Sequence, residues 1–249
     1  MMLSAGGTTR KERVSVSPSR AARKKRRRSP PPDHQSPSTE QGWVFVTGQP
    51  GCGKTTLIKK VTNQMIDDGI VCRGFITEEV LDGRERVGFD VVTIPDGKRS
   101  VLSRKNGNNS WPKTGLYQVD VQSFEACALP SLEDFSGPYK KVDCFIVDEI
   151  GRMELHSEAF KLAVRRLERE GRKVFGSIAA PRYGHRVGFC EEIKSNTAFV
   201  FTQNIKKANR DQVTEVVAAA LLSKFGRKQQ VVRINQSDKR EEEEKTGAC

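Results

Sequence analysis

Trp43-Val44-Phe45-Val46-Thr47-Gly48-Gln49-Pro50-Gly51-Cys52-Gly53-Lys54-Thr55-Thr56 is the stretch on which the reading of this 249-residue chain turns. Its first five residues are apolar or β-branched without a break, the pattern of a strand buried on both faces. From Lys54 the apolar residues recur at helical spacing, which predicts a helix over residues 54–68. The joint between them, Gly48-x-x-x-x-Gly53-Lys54-Thr55, should arise by chance in roughly one chain in a hundred, and its place between strand and helix makes accident rarer still. Glycines at 48, 51 and 53 let the backbone turn its N–H groups inward, and the helix directs the positive end of its dipole at the same point. The segment Gly48, Gln49, Pro50, Gly51, Cys52, Gly53, Lys54, Thr55, Thr56 therefore reads as a phosphate-binding loop, or P-loop. In such a loop Lys54 reaches the β- and γ-phosphates of a nucleotide and Thr55 offers its hydroxyl to Mg2+, while Cys52 reads as a small loop filler.

A loop of this kind needs an acid at the end of a neighbouring buried strand. Val142-Asp143-Cys144-Phe145-Ile146-Val147-Asp148-Glu149 supplies one. Asp148 is the expected second Mg2+ residue beside Thr55, and Glu149 is placed to polarise a water toward the γ-phosphorus. Lys54 and Glu149 are thus the candidate catalytic residues. A further cation is usual in phosphoryl transfer, and Arg152, Arg182 and Arg186 are candidates for it.

Around this centre, strand-like runs alternate with helix-period segments, the signature of an α/β layered fold. Residues 71–79, 142–147, 174–178 and 198–201 read as strands, and residues 157–170 and 211–225 as helices, the first capped by Ser157. Residues 84–94 and 98–102, separated by Pro95-Asp96-Gly97, read as a hairpin. No apolar run reaches the roughly 18 residues of a membrane span, so a soluble protein with no membrane partner is expected. No Cys-x-x-Cys pair appears among the six cysteines, nor the apolar core of a secretory signal, which points to a reducing compartment.

The net charge of +12 resembles that of a nucleic-acid binder until it is divided along the chain. Residues 1–40 carry +7, residues 41–225 carry +4 and residues 226–249 carry +1, so the expected folded part is only mildly basic. Residues 1–41, rich in Ser, Pro, Arg and Lys, read as a disordered tail, residues 42–225 as one domain, and residues 226–249 as a second charged tail. Within the first tail, Arg23-Lys24-Lys25-Arg26-Arg27-Arg28 is a cluster suited to a nuclear-import receptor or another polyanion. It is flanked by three Ser-Pro pairs whose phosphorylation would weaken that hold. The expected location is the cytoplasm, the nucleus or both, with an organelle transit peptide left open by the shortage of acids in residues 1–28.

The run Asp148-Glu149-Ile150-Gly151-Arg152-Met153-Glu154-Leu155 resembles the signature of the THEP1 family of nucleoside-triphosphatases. Other pieces agree in order: Gly74-Phe75-Ile76-Thr77-Glu78-Glu79-Val80, Gly83-Arg84, Gly88-Phe89-Asp90, Gly115 and Tyr117, Ala128-Leu129-Pro130, and Asn209-Arg210-Asp211. The resemblance spans about residues 42–225 and implies a monomeric three-layer P-loop fold of RecA type, with a mainly parallel central sheet and a β-hairpin insertion. It also implies Mg2+-dependent hydrolysis of several nucleoside triphosphates, with loose base selection. Two departures stand out. Leu81 replaces the family's usual Arg, and Asn209-Arg210 lies farther beyond Thr202 than the family's spacing, which suggests a lengthened loop at the nucleotide's base or sugar side and leaves the role of those two residues open. Two rival readings remain: a kinase in which Arg182-Tyr183-Gly184-His185-Arg186 forms a lid, and a nucleotide-gated module that carries the basic tail to nucleic acid.

Overall fold

The computed structural model describes residues 42–134, 141–196 and 200–225. The expectations for both tails, and for residue 198 at the start of the last strand, lie outside the described residues. Nine strands form one sheet: β1 (Trp43–Thr47), β2 (Cys72–Asp82), β3 (Glu85–Ile94), β4 (Arg99–Arg104), β5 (Lys113–Thr114), β6 (Tyr117–Val119), β7 (Cys144–Ile150), β8 (Val174–Ile178) and β9 (Val200–Asn204). Among the described residues five α-helices accompany it: α1 (Lys54–Asp67), α2 (Val121–Ser131), α3 (Glu158–Arg169), α4 (Gly188–Ser195) and α5 (Arg210–Phe225).

The strand order is β5-β6-β4-β3-β2-β7-β8-β1-β9. The five strands from β2 to β9 run parallel, whereas every pairing from β2 out to β5 is antiparallel. The sheet is therefore mixed, not mainly parallel as the sequence suggested. The reason is local. Residues 71–104 turn back twice through short Gly-containing turns, at Gly83 and Gly97, and a strand so joined can only add antiparallel.

Alternate residues of β1 feed two separate cores. Trp43 and Phe45 pack with Phe124 of α2, Phe160 of α3 and Ile193 of α4, while Val44 and Val46 pack with Leu57 and Val61 of α1 and Val213 and Val217 of α5. A strand covered on both faces must be apolar throughout, which is why β1 and β8 show no polar alternation. Helix ends follow local chemistry. Ser157 caps α3 by accepting from Phe160 N at 2.8 Å, and Asp120 caps α2 through Ser123 N at 3.0 Å. Among the described residues no helix is long and apolar enough to cross a membrane.

Phe75, Phe124 and Phe160 meet edge to face with centroids 5.4–5.8 Å apart, and this triad ties α2 and α3 to the sheet. Phe124→Ala is expected to lower stability by about 3–5 kcal/mol in urea unfolding, since the buried cavity it leaves has rigid walls. A loss below about 1 kcal/mol would show that this layer repacks.

Candidate active site

β1 ends at Thr47 and the chain enters α1 through the glycine-rich loop. Gly53, the last residue before the helix, has φ = 100°, a conformation that costs an L side chain dearly. α1 begins with no side-chain cap and no acid in its first turn, so its leading N–H groups are left for an external anion. Burial works to lower the Lys54 pKa, but the charge and hydrogen bond of Glu149, with help from Asp148, outweigh it and hold the ammonium above its ordinary value. Lys54 Nζ lies 3.2 Å from Glu149 Oε2 and donates to Gly48 O at 3.3 Å.

The two acids reach this point because β8 lies between β1 and β7. β7 slips register against β8 between Val147 and Ile150, the stretch that carries Asp148 and Glu149. Gly176 of β8 sits against Val147, where an added Cβ would meet the Val147 carbonyl oxygen at 1.8 Å. Only a glycine permits that approach, and it brings the next residue, Ser177, level with Asp148. Ser177 Oγ donates to Asp148 Oδ1 and lies 3.5 Å from Glu149 Oε2. Sequence reading missed Ser177: it appears as one small residue inside an apolar strand, and nothing in that strand tells which neighbours it has.

Asp148 is 1% exposed, and its Oδ2 has no hydrogen-bond partner. Burial raises its pKa, the hydroxyls of Ser177 and Thr55 lower it, Glu149 raises it and Lys54 lowers it, with a net value of about 6. A buried, partnerless carboxylate oxygen beside a threonine hydroxyl fits a divalent cation. Glu149 is more open, with 27% of its side chain exposed, and can meet water.

Glu154 is a third carboxyl at this centre, in the single 3-10 turn Glu154–His156. Burial pushes its pKa up, Glu149 adds to the rise, and the Gly151 and Glu154 backbone hydrogen bonds offset part of it, leaving a value of about 8. Arg152, the candidate cation beside the acidic pair, donates through Nη2 to His185 O at 2.9 Å. Arg182 lies over the Tyr183 ring and Arg186 is 3.9 Å from Glu191, so the loop after β8 uses its arginines locally. Asn209 is also placed: β9 runs two residues past Thr202 to Asn204, and residues 205–208 lead from its end to Asn209. Beside the P-loop a cavity of about 470 Å3 opens between Gln49 and Pro50 and the loops after β8 and β9, with Lys194, Lys206 and Lys207 on its wall.

A glycine-rich strand-to-helix loop, its lysine paired to a glutamate and a buried aspartate on a strand one place removed, defines a P-loop nucleoside-triphosphatase. The chain belongs to the NTPase family, whose sequence model matches residues 43–218. It is 42% identical over 189 residues to the human cancer-related nucleoside-triphosphatase, covering 72% of this chain and 96% of that one. It is 34% identical over 187 residues to nucleoside-triphosphatase THEP1 of Thermotoga maritima, covering 75% and 99%. Among solved structures, the solution structure of a human cancer-related nucleoside triphosphatase matches with TM-score 0.60 at 39% identity over 72% of this chain and 97% of that one. The crystal structure of THEP1 from the hyperthermophile Aquifex aeolicus matches with TM-score 0.59 at 32% identity, covering 74% and 99%.

Because the Glu154 pKa is raised on folding, the native state holds its proton more tightly than the unfolded chain, and native stability falls as pH rises from about 4.5 to about 8. Glu154→Gln removes this titration. Denaturant unfolding at several pH values is expected to show the variant gaining on the wild type steadily across that window, with no further gain above it. A constant difference between the two would show that Glu154 is ionised throughout.

Proposed function

We propose that the protein hydrolyses nucleoside triphosphates, ATP, GTP, CTP and UTP alike, to nucleoside diphosphate and phosphate in the presence of Mg2+. The observation that carries this reading is the 3.2 Å contact between Lys54 Nζ and Glu149 Oε2 beside the buried Asp148. It sets a phosphate-binding cation against a solvent-reached carboxylate. The backbone of residues 48–56 wraps the phosphates, and Lys54 holds oxygens of the β- and γ-groups. Glu149 takes a proton from a water whose oxygen forms the new bond to the γ-phosphorus as the bond to the β-γ bridging oxygen breaks. The diphosphate leaves with that oxygen.

Thr55 and Asp148 would hold Mg2+, whose charge, when bound, offsets that of the phosphate oxygens. The unpartnered Asp148 Oδ2 supports this assignment. Among the described residues no group of three or more His, Cys, Asp or Glu could cage a metal, which suits an ion completed by substrate and water. Broad base choice is supported by the lack of the Asn-Lys-x-Asp guanine reader in the sequence.

Phosphate release from the four triphosphates tests the reading. Glu149→Gln is expected to bind ATP about as well as the wild type and to turn over about 10²- to 10⁴-fold more slowly. Lys54→Ala is expected to lose affinity and turnover together, because its contact is made in ground and transition states alike. Wild-type turnover in Glu149→Gln would remove the water-activating role. Ser177→Ala takes the donor from Asp148 Oδ1, and the Mg2+ concentration for half-maximal rate is expected to shift several-fold; an unchanged Mg2+ curve would leave Ser177 a packing residue only.

A further inference from the structure

We infer that Arg210 is a phosphate-binding residue that grips the nucleotide on its α- and β-phosphate side, away from Glu149. The inference rests on the nucleotide site proposed above and adds a residue to it.

Arg210 is the first residue of α5 and is set in place by the turn before it. Ile205 N donates to Thr47 O at 2.8 Å, which fastens this turn to the strand that opens into the P-loop. Asn209 then clamps it, accepting from Lys206 N at 2.7 Å through Oδ1 and donating to Asn204 O at 3.3 Å through Nδ2. From there the arginine stem runs over the P-loop glycine that starts α1. A Cβ added to Gly53 would lie 2.6 Å from Arg210 Cδ and 3.4 Å from its Nη1. Gly53 is thus bare toward Arg210 as well as left-handed.

The charge arrangement gives this contact a purpose. The point that Arg210 flanks is already positive, with the uncapped N-terminus of α1, no acid in its first turn, and Lys54 one residue on. A guanidinium brought to such a place is repelled unless an anion lies between the charges. The ion pair recorded for Arg210 does little to relieve this: Nε is 3.5 Å from Asp211 Oδ1, and the Asp211 side chain is 93% exposed. A polyphosphate would satisfy all three positive groups at once. Arg152 is tied to His185 O, and Arg182 and Arg186 lie beside Tyr183 and Glu191, whereas Arg210 is set against the P-loop glycine itself.

Topology decides which phosphates it meets. β9, which leads to Arg210, borders β1 on one side, whereas β8 and then β7, which carries Asp148 and Glu149, lie on the other. Glu149 faces the γ-phosphate, so Arg210 meets the chain nearer its α end. It therefore holds diphosphate and triphosphate equally and strengthens binding without speeding the bond-breaking step.

The test compares Arg210→Met, which keeps the stem over Gly53 and removes the charge, with Arg210→Lys, which keeps a charge. Affinity for ADP, and for ATP in a Glu149→Gln background, is measured by calorimetry with Mg2+ at several salt concentrations, alongside steady-state ATP hydrolysis in the otherwise wild-type chain. Arg210→Met is expected to weaken both nucleotides about 10- to 100-fold, to flatten the salt dependence of affinity and to raise KM with kcat within about twofold. Arg210→Lys is expected to recover most of the affinity. Wild-type affinity in Arg210→Met, equal losses in both variants, or a loss for ATP without one for ADP would each overturn the assignment. A wild-type protein that bound neither nucleotide would overturn the underlying reading, and this one with it.

Discussion

Three parallel strand ends have to arrive at one height for this site to exist. β1 delivers the P-loop, β7 delivers Asp148 and Glu149, and β8, wedged between them, sets their separation. The spacing is fixed by backbone contact, since Gly176 leaves no side chain between β8 and the Val147 carbonyl. Register does the rest: Val46 of β1 lies opposite Ser177, and Val147 of β7 opposite Gly176. Slipping any one strand by a residue would turn Ser177 away from Asp148 and move the acids off Lys54, since neighbouring side chains on a strand point to opposite faces. The two hydrophobic cores, one on each side of the sheet, hold that register against such slips.

The site gathers negative charge that the fold would be more stable without. Asp148 and Glu154 are both buried, and Glu149 stands close enough to raise both of their pKa values. Against them stand Lys54, the Ser177 and Thr55 hydroxyls and a few backbone N–H groups. Acids so arranged oppose folding near neutral pH, a cost accepted where the chemistry needs a poised carboxylate.

The glycine-rich loop and the acidic pair were legible because each is a short run whose chemistry depends on neighbours in sequence. The edges of α1, α3 and β8 were equally plain, where glycine turns or a serine cap bound a clear periodicity. α2 was not legible, with only Phe124 and Ala128 as buried apolar residues and Pro130 inside it. α4 spans just eight residues, too few for a helical period to emerge. Ser177 went unread, and Arg210 was read without its surroundings, for a different reason. Each meets a distant segment, Ser177 at Asp148 and Arg210 at Gly53, and strand order decides those meetings. The antiparallel half of the sheet was only partly visible, since the β3-β4 hairpin shows its turn but not the strand to which it adds.

An ammonium group has three N–H bonds, and Lys54 already commits one to Gly48 O and another to Glu149. One is left over. An anion with a single oxygen to offer can be accommodated without disturbing either contact, but one that claims two must take the second from Gly48 O or from Glu149. Under the roles proposed here, the carboxylate that activates water is occupied in the resting protein, and a ligand that draws Lys54 toward its phosphates by way of that contact leaves it free. In that case the ion pair would work as an interlock, with the base unmasked by substrate and masked again once the phosphates depart.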